Sequence, residues 1–207
     1  MIEINKKELE RRTSIVNKEF DGIIPYQEVF YIHSILYSSE RSIDAFNRYE
    51  SLREKENNPA ILISIVQEAV GHAAALSRYF WLSGVGPKVP KELKEHREKR
   101  AKKLRSKFGL KDDSPLNDRS LRNAWEHFDE RLDTYLLLND SGYFFPSPII
   151  GEHNLADDTI GRIFKLLDTE AECLVLLGQK FFFKPIKEEV IKVYNSATNK
   201  DRNGGRL

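Results

Sequence analysis

Residues 60–83 read AILISIVQEAVGHAAALSRYFWLS, the most apolar stretch of the chain. Ile61, Leu62, Ile65, Val66, Ala69, Ala73, Leu76 and Phe80 recur at threes and fours and cover more than one helical face. A helix apolar on several sides belongs in the middle of other helices. Asn57-Asn58-Pro59 precedes it and Gly84-Val85-Gly86-Pro87 closes it. Polar residues interrupt the run before it reaches the roughly 18 apolar residues of a membrane span. The stretch therefore predicts a mainly α fold, a bundle built around this helix.

Outward toward the N-terminus, residues 26–54 repeat Val29, Ile32, Leu36, Ile43 and Phe46 with helical period. Residues 3–20 form a charged amphipathic helix with sparse apolar positions, and Asp21-Gly22 and Pro25 end it. Toward the C-terminus, residues 90–107 make a basic helix. From Lys88 to Lys107 there are ten Lys/Arg against Glu92, Glu95 and Glu98. Ser114-Pro115 supplies a hydroxyl cap and a proline in the first turn, predicting a helix from about 115 to 139. Leu116, Leu121, Ala124, Trp125, Phe128, Leu132, Tyr135 and Leu136 are its expected buried side. Residues 1–140 thus read as the bundle.

After Asn139 the pattern changes. Ser141-Gly142, Pro146 and Pro148 predict a loop. Arg162–Leu167, Glu172–Leu177 and Lys180–Phe183 read as strands of a small hairpin or three-stranded ribbon. Phe181, Phe182 and Phe183 cannot all face one surface, because strand side chains alternate. A last helix runs from Ile186 to about Asn195. Residues 141–197 are expected to pack on the bundle, and 198–207 to be a flexible tail.

The 207 residues, 40% hydrophobic and 31% charged, suit a globular chain that needs no staples. A net charge of +1 creates no global field, so polyanion binding would need a local patch. The single cysteine, Cys173, excludes an internal disulfide and a Cys-based zinc site. The polar start is not expected to act as a secretory signal, and the cytoplasm with no membrane association is the expected setting.

The chemically pointed segment is Arg122-Asn123-Ala124-Trp125-Glu126-His127. On a helix Asn123 and His127 share a face, and the long side chain of Arg122 leans toward it. These groups suit cleavage of an RNA phosphodiester. Histidine moves protons near neutral pH, and arginine meets the charge that builds on the phosphate oxygens. Asn123 would orient the imidazole or bind a phosphate oxygen. The ordinary reading stands beside it: Arg122–Glu126 as a surface ion pair and His127 as a packed histidine. No Glu-x-x-His pair, HExxH, P-loop or G-x-G-x-x-G occurs, so neither a metal nor a cofactor is expected.

The run resembles the R-x4-6-H signature of the HEPN superfamily (higher eukaryotes and prokaryotes nucleotide-binding domains), continuing here as Phe128-Asp129-Glu130-Arg131-Leu132-Asp133. The resemblance covers roughly residues 26–139. It implies a helical bundle that forms a homodimer with two motifs facing one cleft. It also implies a metal-independent endoribonuclease, a toxin or defence effector with a possible antitoxin or other protein partner. Arg122, Asn123 and His127 would be catalytic and Glu126 supporting. Lys99, Arg100 and Lys103 of the basic helix would track the RNA backbone, if that face is not simply solvated. The alternative is a non-catalytic HEPN-like dimeric binding protein.

Overall fold

The computed structural model describes residues 5–82 and 89–207. Its helices are α1 Lys6–Glu19, α2 Glu28–Leu52, α3 Pro59–Phe80, α4 Lys91–Phe108, α5 Ser120–Glu126, α6 Phe128–Leu138 and α7 Lys184–Arg202. Between α6 and α7 lie β1 Tyr143–Phe145, β2 Ile149–Ile150, β3 Gly161–Ile163, β4 Lys165–Asp168, β5 Cys173–Leu176 and β6 Gln179–Phe182. The chain is mainly helical, with a small sheet region and a C-terminal helix.

α2, α3 and α7 form the centre. Small residues let α2 and α3 approach closely: Ser38, Ser39, Ser42 and Ala45 on one, Ala69 and Ala73 on the other, all buried. Two of the buried serine hydroxyls are bonded, Ser39 Oγ donating to Ile35 O at 2.8 Å and Ser42 Oγ to Ala69 O across the interface at 2.8 Å. Asn58 caps α3 by accepting from Ala60 N at 3.0 Å. α3 is long and apolar enough to cross a membrane by length and composition, but 56% of its most apolar window is buried within the protein. Its apolarity serves the bundle.

The charge of the basic helix has a partner in the negative end of α3. Arg100 and Arg105 of α4, and Arg119 beyond it, donate to the carbonyls of Arg78, Phe80 and Leu82.

Three sequence expectations are corrected. First, no continuous helix spans 115–139. Ser114 Oγ accepts from Leu116 N at 3.4 Å, but a turn follows, and Asn117 Nδ2 closes it onto Asp112 O at 2.9 Å. Local side-chain bonds win over the helix there. Asp118 Oδ1 then accepts from Ser120 N at 2.8 Å, and α5 begins. A second break falls at His127 (φ −114°, ψ 35°), with no proline or glycine to cause it. The two helices dock differently: α5 buries Leu121 and Ala124 in the bundle, whereas α6 leans on the strands. Leu136, expected inside, is 43% exposed.

Second, the segment expected to be a loop contributes strands. β1 pairs in parallel with β3, and β2 with β4. These pairings join short runs far apart in sequence. The antiparallel β4-β5-β6 ribbon completes a four-stranded sheet in the order β2-β4-β5-β6. Leu177 and Gly178 (φ 50° and 76°) make the two-residue turn between β5 and β6.

Third, α7 extends past both expected ends, and residues 198–207 are docked. Val190, Val193 and Ala197 keep one face buried. Gly205 N closes α7 onto Lys200 O at 3.0 Å. A Cβ on Gly205 would sit 3.1 Å from Val29 Cγ2, so glycine permits the close approach. Leu207 N then reaches Glu28 Oε2 at 3.1 Å, and its side chain packs on the core.

Asp168 pins the sheet. Its Oδ2 accepts from the amide and Nδ1 of His153 at 2.9 and 2.7 Å, and its Oδ1 from the amides of Glu170 and Ala171 at 3.1 and 2.9 Å. Burial pushes its pKa up, but the donors from Ala171 and His153 outweigh it and hold the carboxyl below the usual range. A depressed carboxyl stabilises the fold above its unfolded pKa, near 4, and loses that contribution as pH falls through the folded pKa. Asp168→Ala should therefore cost about 2–3 kcal/mol at pH 7. The deficit should shrink toward pH 3, as read by urea unfolding at both pH values.

Candidate functional site

Leu121 and Ala124 fix α5 against the bundle, and this fixes where the Arg122–His127 groups stand. Arg122 lies largely covered, its side chain 18% exposed, with Nε bonded to Glu126 Oε1 at 2.9 Å. Among the described residues its terminal nitrogens have no hydrogen-bond partner, so they stay free for an incoming anion. The Arg122 guanidinium, aided by Arg78, holds the Glu126 carboxyl below the usual carboxylate range. Glu126 remains ionised and keeps Arg122 in place.

His127 occupies the break between α5 and α6. Its side chain is 57% exposed, and Nδ1 lies 3.5 Å from Glu130 Oε2 on the first turn of α6. Asn123 is exposed, and its carbonyl accepts the His127 amide at 3.1 Å. Arg122 and His127 make no direct hydrogen bond. Glu126 stands between them, bonded to the first and close enough to feel the charge of the second. Arg122 and His127 are thus linked through Glu126; among the described residues no side-chain hydrogen bond joins Asn123 to them. Glu130 flanks His127 at i+3, a spacing that the sequence shows but that by itself gives Glu130 no role in the site.

The basic helix is placed differently. Lys99 Nζ donates to Asn17 O at 3.1 Å. Lys103 Nζ binds Phe20 O, Ile23 O and Glu28 Oε1 at 3.3, 3.1 and 3.0 Å. Arg100 reaches Arg78 O and lies 5.9 Å from the centre of the Tyr31 ring. Lys99 and Lys103 hold the end of α1 and its turn into α2, and Arg100 joins α2 to the end of α3. Lys91, Lys94, Lys102 and Lys107 are the exposed cations of α4.

Two other groups carry chemistry in principle. His153 and Asp168 form a partly buried pair at 2.7 Å. The only cysteine, Cys173, sits opposite Asp168 on the next strand. It is buried, and burial pushes its thiol up to about 11, so it is no nucleophile. Among the described residues no three His, Cys, Asp or Glu side chains gather as metal ligands.

Comparison with family models, curated proteins and solved structures gives no match. The residues themselves carry the functional argument.

Proposed function

We propose that the chain is a metal-independent endoribonuclease of HEPN type, with Arg122, Asn123 and His127 as its site. The observation that carries this reading is the break at His127. The surrounding residues favour a helix, yet the helix stops there and leaves an exposed imidazole next in sequence to Glu126, the partner of Arg122. Departures from local preference that no local residue explains concentrate at functional sites.

In the proposed reaction the RNA 2′-hydroxyl gives up its proton and its oxygen attacks the adjacent phosphorus. The bond from phosphorus to the 5′-oxygen breaks, and that oxygen takes a proton. The products are a 2′,3′-cyclic phosphate and a 5′-hydroxyl. His127 serves one of the two proton transfers. Arg122, braced by Glu126, meets the charge on the non-bridging oxygens. Asn123 offers its amide to the phosphate. In the proposed homodimer the motifs of two copies face one cleft.

The test is cleavage of a mixed RNA pool in excess EDTA. Wild type should cut, His127→Ala should lose about 10²–10⁴-fold, and Arg122→Ala about 10²–10³-fold. A 2′-deoxy residue at the cut site should block cleavage. EDTA-sensitive cleavage, or cleavage untouched in His127→Ala, refutes the reading.

One observation favours a second reading, a non-catalytic binding protein. Glu126, Asp129 and Glu130 crowd His127 with negative charge, which opposes a polyanion. A folded wild type that cuts no RNA would select it.

A further inference from the structure

The helix after the motif is under-supported by its own chain. α6 has 11 residues, none of them buried. Isolated helices of this length are marginal in water and hold only when a face is packed. One side of α6 is lightly packed. Lys165 lies over the Phe128 ring at 4.6 Å, Arg131 donates to Gln179 at 3.0 Å, and Tyr135 meets Phe164 edge-on at 5.7 Å. The opposite side carries Leu136 and Leu137, 43% and 85% exposed, with Asp129 and Asp133 on the same side of the helix. Leu138 turns the other way, into the groove lined by Arg131, Tyr135 and Leu176. Exposed leucines on a helix face that its own chain leaves uncovered mark a contact site.

The rim says what fits. Between residues 129 and 140 there are four carboxylates, Asp129, Glu130, Asp133 and Asp140, and one cation, Arg131. All four carboxylates are exposed, and Arg131 is turned onto Gln179. Among the described residues Asp129, Asp133 and Asp140 form no ion pair. An RNA or an anionic lipid surface would be repelled. A second copy placed face to face would bring the same four carboxylates against these, and like-charge juxtaposition is costly.

We infer that the outer face of α6 docks a cationic amphipathic helical segment of another protein. Its apolar side covers Leu136 and Leu137, and its lysines or arginines meet Asp129, Asp133 and Asp140. This mode combines helix-in-groove packing with steering by opposite charge. The docked segment ends next to His127 and so governs access to that imidazole. The inference stands whether or not His127 cuts RNA.

The probe is a fluorescent 18-residue amphipathic peptide of leucine and lysine, with a leucine–glutamate peptide of the same pattern as control. Anisotropy with the full chain should show binding of the lysine peptide only, weakened by added salt. Amide exchange at Arg131–Leu138 should slow in the complex. Leu136→Ser with Leu137→Ser, and separately Asp129→Asn with Asp133→Asn, should each weaken binding at least tenfold. Both pairs are exposed, so the variants should keep the wild-type melting curve. Sedimentation of the free chain should show no dimer that depends on Leu137. Equal binding by the variants, no binding by wild type, or a dimer dissolved by Leu137→Ser overturns the proposal; the last assigns the face to a second copy.

Discussion

Phe183→Ala should lower the stability of the protein by about 3–5 kcal/mol, a large share of the roughly 5–15 kcal/mol typical of a domain. Phe183 is fully buried at the end of β6, where the sheet hands over to α7. Its ring stacks on Phe46 at 6.2 Å between centres and meets Tyr49 edge-on at 5.5 Å. Its amide donates to Glu172 O at 2.9 Å. One residue therefore joins α2, through its ring, to the β4–β5 turn, through its amide, at the start of α7. Removing it leaves a cavity lined by rigid helices, which relax poorly. The neighbouring Phe182 is 51% exposed and touches only the edge of His153 among aromatic rings. Phe182→Ala should cost about 1 kcal/mol or less. Urea unfolding of the two variants gives the comparison. Similar losses for both would mean that the sheet and the bundle are not joined at Phe183.

This contrast was legible in the sequence, because consecutive strand residues face opposite ways. The long helices were legible for the same kind of reason. α2, α3 and α4 follow periodic apolar positions flanked by proline and glycine. What escaped the sequence depends on partners far along the chain. Tyr143–Phe145 becomes a strand only because Gly161–Ile163 lies beside it. Leu207 is ordered only because Glu28 receives its amide. Lys99, Arg100 and Lys103 look like any solvated basic stripe until α1 and α3 supply the carbonyls they bind. The site divides in the same way. The Arg122–Glu126 pair follows from i, i+4 spacing. The break at His127 does not, because it arises from α5 and α6 docking on different neighbours. The exposure of Leu136, Leu137 and Leu138 was equally hidden, since the helical period of residues 116–136 matches an inward face. The functional reading and the docking reading both rest on that one break. It turns a predicted buried helix into an exposed imidazole followed by an uncovered face.

Lys187→Met should destabilise by about 3–5 kcal/mol at neutral pH, and its effect should depend on pH. Lys187 Nζ sits between two carboxylates, Glu50 Oε1 at 2.6 Å and Glu172 Oε1 in a shorter contact. Glu172 is almost fully covered, and Arg53 extends the group by binding Glu50 Oε2 at 3.1 Å. Methionine keeps the apolar stem but leaves Glu172 buried without its cation, the costly half of a broken pair. Glu172→Gln in the Lys187→Met background should recover part of the loss. Burial works against charge on both Lys187 and Glu50. The partner carboxylates still raise the Lys187 pKa, and Lys187 with its neighbours still lowers that of Glu50. A raised lysine contributes stability that is complete below its unfolded pKa, near 10.4, and is lost as pH climbs through the folded pKa. A lowered glutamate contributes stability above its unfolded pKa, near 4.3, and loses it as pH falls through the folded pKa. The gap between wild type and Lys187→Met should therefore be widest between about pH 5 and 10. It should close at either end, as read from urea unfolding across the range. A gap of constant size would mean that Lys187 acts through the packing of its stem, and that the charge cluster does not tie the sheet to α2 and α7.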